Sequence, residues 1–210
     1  MTPDEIEAHF TRTDGTYLCA RWGRPIAPVV FGVDDATLSV VKGAIEAVAQ
    51  LAGHDVVETD PELGANMMVF FFRDWSELLE LPDLGRMIPD LEPLVAKLVE
   101  ADANQYRIFR FEADGAIKAA FVFLRMDAHL SEVPAETLAL SQAVQTILLW
   151  SDAAFQDRSP LALIPGQDVA VLRPEIGQLI RAAYDPILPR AAQDSAHALR
   201  LSARLAARES

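Results

Sequence analysis

Apolar and polar positions alternate along the chain with two different periods, and the changes of period mark its elements. Between residues 35 and 52, Val40, Val41, Ala44, Ile45, Val48 and Leu51 recur at helical spacing. Asp34 or Asp35 can cap that helix and Gly53 can end it. Asn66 to Phe72 (NMMVFFF) is apolar throughout, which predicts an interior strand covered on both faces, with Phe70 to Phe72 in the core. Tyr17 to Arg21 and Val29 to Val33 predict two further strands, and Val56-Val57 a short one. Tyr106 to Phe111 and Ile117 to Met126 flank Asp114-Gly115, a preferred hairpin dipeptide. A helix crossing between strands implies a parallel pair and the hairpin an antiparallel one. The expected fold is therefore α+β, a mixed β-sheet packed against helices in a single domain over 1–210.

Around that sheet lie three further pieces. An N-terminal segment, 3–20, begins with a short helix at about 3–11. Residues 74–101 are helical but broken by Pro82, Pro89 and Pro93, and are expected as an insertion on the rim. After a Ser/Pro/Gly-rich loop at 158–168, Pro174 opens a helix through Tyr184. Pro186 and Pro189 then separate it from a C-terminal helix within 190–208.

The stretch Thr137 to Ser151, TLALSQAVQTILLWS, has no charged side chain. Leu140, Val144, Ile147 and Leu148 recur at helical spacing, Pro134 suits a first turn and Glu136 favours its positive end, so a central helix over about 135–151 is expected. Its other face, Thr137, Ser141, Gln142, Gln145 and Thr146, is polar but uncharged. A solvated face normally mixes Glu, Lys and Arg, so this one is expected to look into an interior cleft.

Charge narrows the partners. The formal net charge is −13, which repels phosphate backbones and argues against nucleic acid. Acid concentrates from Asp55 to Glu100, where Arg73, Arg86 and Lys97 are the only basic residues; Arg190, Arg200, Arg204 and Arg208 form a basic counterweight near the end. Cys19 is alone, so an intramolecular disulfide and a CxxC site are excluded. No run reaches the roughly 20 apolar residues of a membrane helix. The polar start, MTPDEIEAHFTRTDG, lacks the features of a signal peptide, so the expected setting is cytoplasmic, or that of an exported protein already processed.

Familiar catalytic motifs are missing. There is no phosphate loop, no GxGxxG and no GxSxG elbow. His9, His54, His129 and His197 have no HxxxH or HxH spacing. His54 follows Gly53 at a helix end, where positive charge is favoured. His129 lies just before the central helix and is the histidine placed to approach the cleft. The acids Glu58, Asp60 and Glu62, and those from Asp83 to Glu92, are expected in solvated loops. Tyr184 is expected to hydrogen-bond in the core, and Trp22 and Trp150 to anchor it.

Several short stretches carry a resemblance: Arg21-Trp22 with Pro25-Ile26, Ala65-Asn66, Ser141-Gln142-Ala143, and Leu179 to Pro186 (LIRAAYDP). Together with the order of elements, they resemble an uncharacterised bacterial family with a zincin-like, metallopeptidase-related fold, over roughly residues 20–190. In zincins the central helix carries His-Glu-x-x-His, two ligands one turn apart with the glutamate as general base. Setting Gln142 at the second ligand position puts Leu138 at the first and Ala139 at the glutamate. Leu138 has no donor atom, Ala139 cannot accept a proton and Gln142 is a poor zinc ligand. The resemblance thus implies a scaffold with a degenerate active site, without metal or other cofactor.

Three functions follow as expectations. The first is a non-catalytic domain binding a peptide, protein or small ligand beside the central helix through Ser141, Gln142 and Gln145. The second is a metal-independent hydrolase built on Glu136, His129 and Tyr184, which requires these side chains to converge. The third is an assembly module, a homo-oligomer included, docking through Leu199, Leu201 and Leu205 of the C-terminal helix.

Overall fold

The computed structural model describes residues 1–167 and 169–209, the side chains of 208 and 209 excepted. Asp168, which closes the loop expected at 158–168, and the Arg208 side chain lie outside the described residues. The chain opens with α1 (Pro3–Phe10), β1 (Cys19–Ala20), β2 (Pro28–Phe31), α2 (Asp35–Ala52) and β3 (Met67–Phe72). A 3-10 helix (Trp75–Glu80), α3 (Leu84–Met87) and α4 (Leu91–Glu100) lead to the hairpin β4 (Gln105–Phe111) and β5 (Ile117–Arg125). Then come α5 (Ala128–Ser131), α6 (Ala135–Ile147), β6 (Leu161–Leu163), β7 (Ala170–Leu172), α7 (Pro174–Ala183), β8 (Ala191–Ala192) and α8 (Ala196–Glu209).

The main sheet has the order β2-β3-β5-β4, with β2, β3 and β5 parallel and β4 antiparallel to β5. This is the mixed sheet the pattern implies. Its central strands alternate between two apolar layers. Met67 and Val69 of β3, with Ala120, Val122 and Leu124 of β5, point into the larger core, built with α1, α2, α6, α7 and α8. Phe70, Phe72, Phe121 and Phe123 point the other way, against Trp75, Leu78, Leu84, Leu91, Val95 and Leu98. The segment expected on the rim is therefore a covering layer. Its prolines divide it into short helices that can follow the twisted sheet, and each helix offers one apolar face.

Local chemistry explains the boundaries. Asp34 caps α2, its side chain accepting from the Thr37 amide at 2.8 Å, and Gly53 ends it in the left-handed conformation. Asp114-Gly115 closes the hairpin with Gly115 at φ 84°. Val56 makes only an isolated bridge to Ile26. The loop expected at 158–168 contains β6, which pairs with β7.

The central helix is shorter than its sequence implies. It ends at Ile147, and residues 148–151 run extended. Leu148 bridges Arg21, the Leu149 amide donates to the Ala20 carbonyl at 2.8 Å, and the Ser151 amide to the His9 carbonyl at 2.9 Å. An apolar run fits helix and strand equally, and here the strand-like pairing with the N-terminal segment wins. Trp150 donates from its indole back to the Val144 carbonyl, giving one of the last-turn acceptors a partner.

Candidate functional site

The uncharged face of α6 does line a cleft. Its walls are Thr137, Leu138, Ser141 and Gln142 of α6, His129 and Leu130 of α5 with Val133 after it, and Gln105 at the start of β4. Ser159, Leu161–Leu163 and Ala170 of the β6–β7 hairpin close the far side. The cavity measures about 380 Å³, with neither Asp nor Glu among the described residues that line it.

At its floor sits Gln142, buried, with both its amide atoms hydrogen-bonded. Its amide oxygen accepts from Nη2 of Arg107 at 2.6 Å, and its amide nitrogen donates to Oε1 of Gln105 at 2.8 Å. The same Nη2 also donates to Gln105 at 3.2 Å. Strand alternation explains the arrangement. Tyr106 and Ile108 pack in the layer of short helices, whereas Phe109 packs on the larger core, so Gln105 and Arg107 stand on the α6 side. Burial lowers the Arg107 pKa to about 10, which still leaves the group charged at neutral pH.

The rest of the polar face divides. Ser141 accepts from Nε2 of Gln145 at 2.8 Å, so Gln145 acts on the cleft through Ser141. Thr146 turns its hydroxyl back to the Gln142 carbonyl at 2.7 Å and belongs to the core. The Thr137 hydroxyl, the Ser141 hydroxyl proton and the His129 ring make no hydrogen bond among the described residues. They are the cleft's unspent polar groups.

Glu136, His129 and Tyr184 do not converge. Glu136 is exposed in the first turn of α6. Tyr184 is buried at the opposite end, donating to the Ile147 carbonyl at 2.8 Å and accepting from the Trp22 amide at 3.3 Å. Eleven residues of helix separate Glu136 from Ile147, about 16 Å along the axis. His129 alone of the three lines the cleft. The acid–base trio expected from the sequence is therefore not assembled, because its members cap opposite ends of one helix.

Other expectations are corrected by burial. Asp60 is buried rather than solvated. Its carboxylate accepts from the Glu62 and Leu63 amides at 2.8 Å, from Asn66 at 3.0 Å and from Arg24 at 3.3 Å. Burial opposes its ionisation, but these donors outweigh burial and hold the pKa down at about 2. Asn66 passes the connection on, accepting from the Ala27 amide at 2.7 Å and donating to the Pro25 carbonyl at 2.8 Å. Arg24 also meets Glu62 and Glu112. This cluster fastens the loop before β3 to the edge of the sheet, and its donors and acceptors are matched internally. His54, too, is placed by a bond rather than by helix charge. Its Nε2 donates to the Arg24 carbonyl at 2.8 Å, and burial lowers its pKa.

In α8, Leu201 and Leu205 are buried against the chain's own core, where α8 meets α1 and α7; Leu199 is exposed. Two of the three leucines expected to dock a partner are thus already used. Among the described residues, no three His, Cys, Asp or Glu side chains gather where they could hold a metal ion. No helix among them is long and apolar enough to cross a membrane.

Arg107 and Gln105 were the residues a reading of the helix alone misses. Their signal is the alternation of the hairpin: Gln105, Arg107 and Phe109 share one face of the strand that borders α6. No protein-family model matches the chain, nor does any curated protein or solved structure.

Proposed function

We propose that the protein is a non-catalytic binding domain on a zincin-like scaffold, taking a small ligand in the cleft beside α6. The observation that carries this reading is the division of labour in the lining. Gln142 is fixed from behind by Arg107 and Gln105, while Thr137, Ser141 and His129 face the cavity with hydrogen-bonding capacity unspent. A fixed polar floor beside the apolar side chains of Leu130, Leu138 and Leu161 is how small-molecule sites combine orientation with affinity. Support for the metal-free form comes from the donor set: on the alignment that the zincin resemblance implies, Leu138, Ala139 and Gln142 would fall at the ligand and base positions, and none of them has the chemistry to serve there.

The test is mapping by amide NMR with neutral fragments such as hexanamide and N-acetylated amino-acid amides. Shifts concentrated at Gln105, Thr137, Ser141, Gln142 and Leu163 are expected. Shifts gathered on another face, or none, would overturn the assignment. Stoichiometric zinc retained through purification would overturn the metal-free part separately.

A further inference from the structure

Arg107 presents an electrostatic problem that the fold does not solve. It is half-buried between β4 and α6, and its two protein partners, Gln105 and Gln142, are neutral amides. Its Nε is buried without an acceptor among the described residues; Nη1 is likewise unbonded but is not fully buried. Burial is the sole cause of its lowered pKa, so no neighbouring charge compensates it.

The contrast with the other arginines is informative. Arg24, Arg86, Arg125, Arg158, Arg190 and Arg204 each lie within 4.0 Å of a carboxylate. Arg12, Arg73, Arg110, Arg181 and Arg200 have no such partner among the described residues but are exposed to water, and Arg173 donates to the Ser159 carbonyl. The Nε atoms of Arg21 and Arg125 are buried without an acceptor as well, so the distinction of Arg107 is burial without a carboxylate. Arg21 lies over the Tyr184 ring, donates to the Leu188 carbonyl and is within electrostatic reach of Asp185. Arg107 has none of these. The chain has 31 Asp and Glu against 18 Lys and Arg, so a carboxylate for this position is not scarce. A buried guanidinium without a counter-charge is costly, and two neutral amides offset only part of that cost.

We propose that the missing counter-charge is the ligand's: the cleft binds a monocarboxylate with a short apolar body, its carboxylate reaching the guanidinium of Arg107. This rests on the binding role just assigned to the cleft. One unpaired cation matches one negative charge, and a planar carboxylate matches the guanidinium fork. Gln105 and Gln142 line the cavity and Arg107, which does not, stands bonded to both, so the carboxylate takes over the acceptor position at Nη2 that the Gln142 oxygen fills in the free protein. Ser141 and Thr137 then supply further donors, and Leu130, Leu138 and Leu161 take the apolar body. No Asp or Glu among the described residues lines the cavity, which lessens the repulsion that a net charge of −13 would otherwise set against an anion there.

The test compares hexanoate with hexanamide, its uncharged counterpart, titrated into the full chain and followed at the Ser141 and Gln142 amides. Hexanoate is expected to bind at least about tenfold tighter. In Arg107→Gln that preference should fall to about one, the ratio being taken within the variant so that any weakening common to both compounds cancels. If Arg107→Gln does not fold, the wild-type ratio decides by itself. Hexanamide titrating the cleft with hexanoate no tighter overturns the carboxylate assignment and leaves the binding role standing. Neither compound titrating the cleft overturns both, and a preference that persists in Arg107→Gln overturns the assignment to Arg107.

Discussion

At the residue scale, two charged side chains play opposite parts. Asp60 is buried with its charge answered on every side; Arg107 is half-buried, its Nε fully so, with no carboxylate beside it. Asp60 therefore belongs to stability. Its pKa of about 2 lies below the ordinary carboxylate value, so its contribution is complete above about pH 4 and is lost as pH falls towards 2. Asp60→Asn is expected to lower unfolding stability by about 2 kcal/mol at neutral pH, the worth of charge-assisted hydrogen bonds. In urea titrations repeated from pH 5 down to pH 2, that penalty should shrink steadily; a constant penalty would show that the charge is not what matters. Neither role is legible in the sequence. Asp60 sits among Glu58, Pro61 and Glu62, a composition that reads as solvated loop, and its partners Arg24 and Asn66 arrive from elsewhere in the chain. Arg107 reads as the polar half of an alternating strand, and alternation does not reveal which face the neighbouring helix will cover.

At the element scale, the regular pieces follow the pattern closely where period and punctuation agree. Asp34 and Gly53 bracket α2, and Asp114-Gly115 turns the hairpin, because capping and turn geometry are decided by neighbouring residues. The disagreements arise where packing decides. The run from Ile147 to Ser151 is apolar enough for either conformation, and backbone partners at Ala20 and His9 settle it as extended. The proline-broken stretch after β3 looks peripheral until Phe70, Phe72, Phe121 and Phe123 are seen to need a cover. Tyr184 belongs to this scale because it joins the end of α6 to the Trp22 backbone. Tyr184→Phe removes that link and should cost about 1–2 kcal/mol in chemical denaturation, leaving two buried backbone groups short of a partner. Fragment binding at Ser141 should be unchanged, since Tyr184 lies at the far end of the helix. A variant of normal stability that loses binding would reverse that assignment.

At the scale of the whole molecule, the layers place the cleft. The central strands β3 and β5 bury both faces, the edge strand β4 brings Gln105 and Arg107 up to α6, and the β6–β7 hairpin supplies the outer wall. The uncharged face of α6 pointed to such a space, and Ser141, Gln142 and His129 do line it. What the helix could not disclose was that Gln142 is spoken for from behind, or that Glu136 and Tyr184 lie at opposite ends. The most direct measurement fills the cavity and asks whether binding disappears. Ser141→Trp places a bulky side chain across the opening. In amide NMR spectra with hexanamide, shifts at Gln105, Thr137 and Leu163 should be present in the wild-type chain and absent in this variant, with the remaining spectrum preserved. Equal shifts in both proteins would contradict the cleft beside α6 as the binding site.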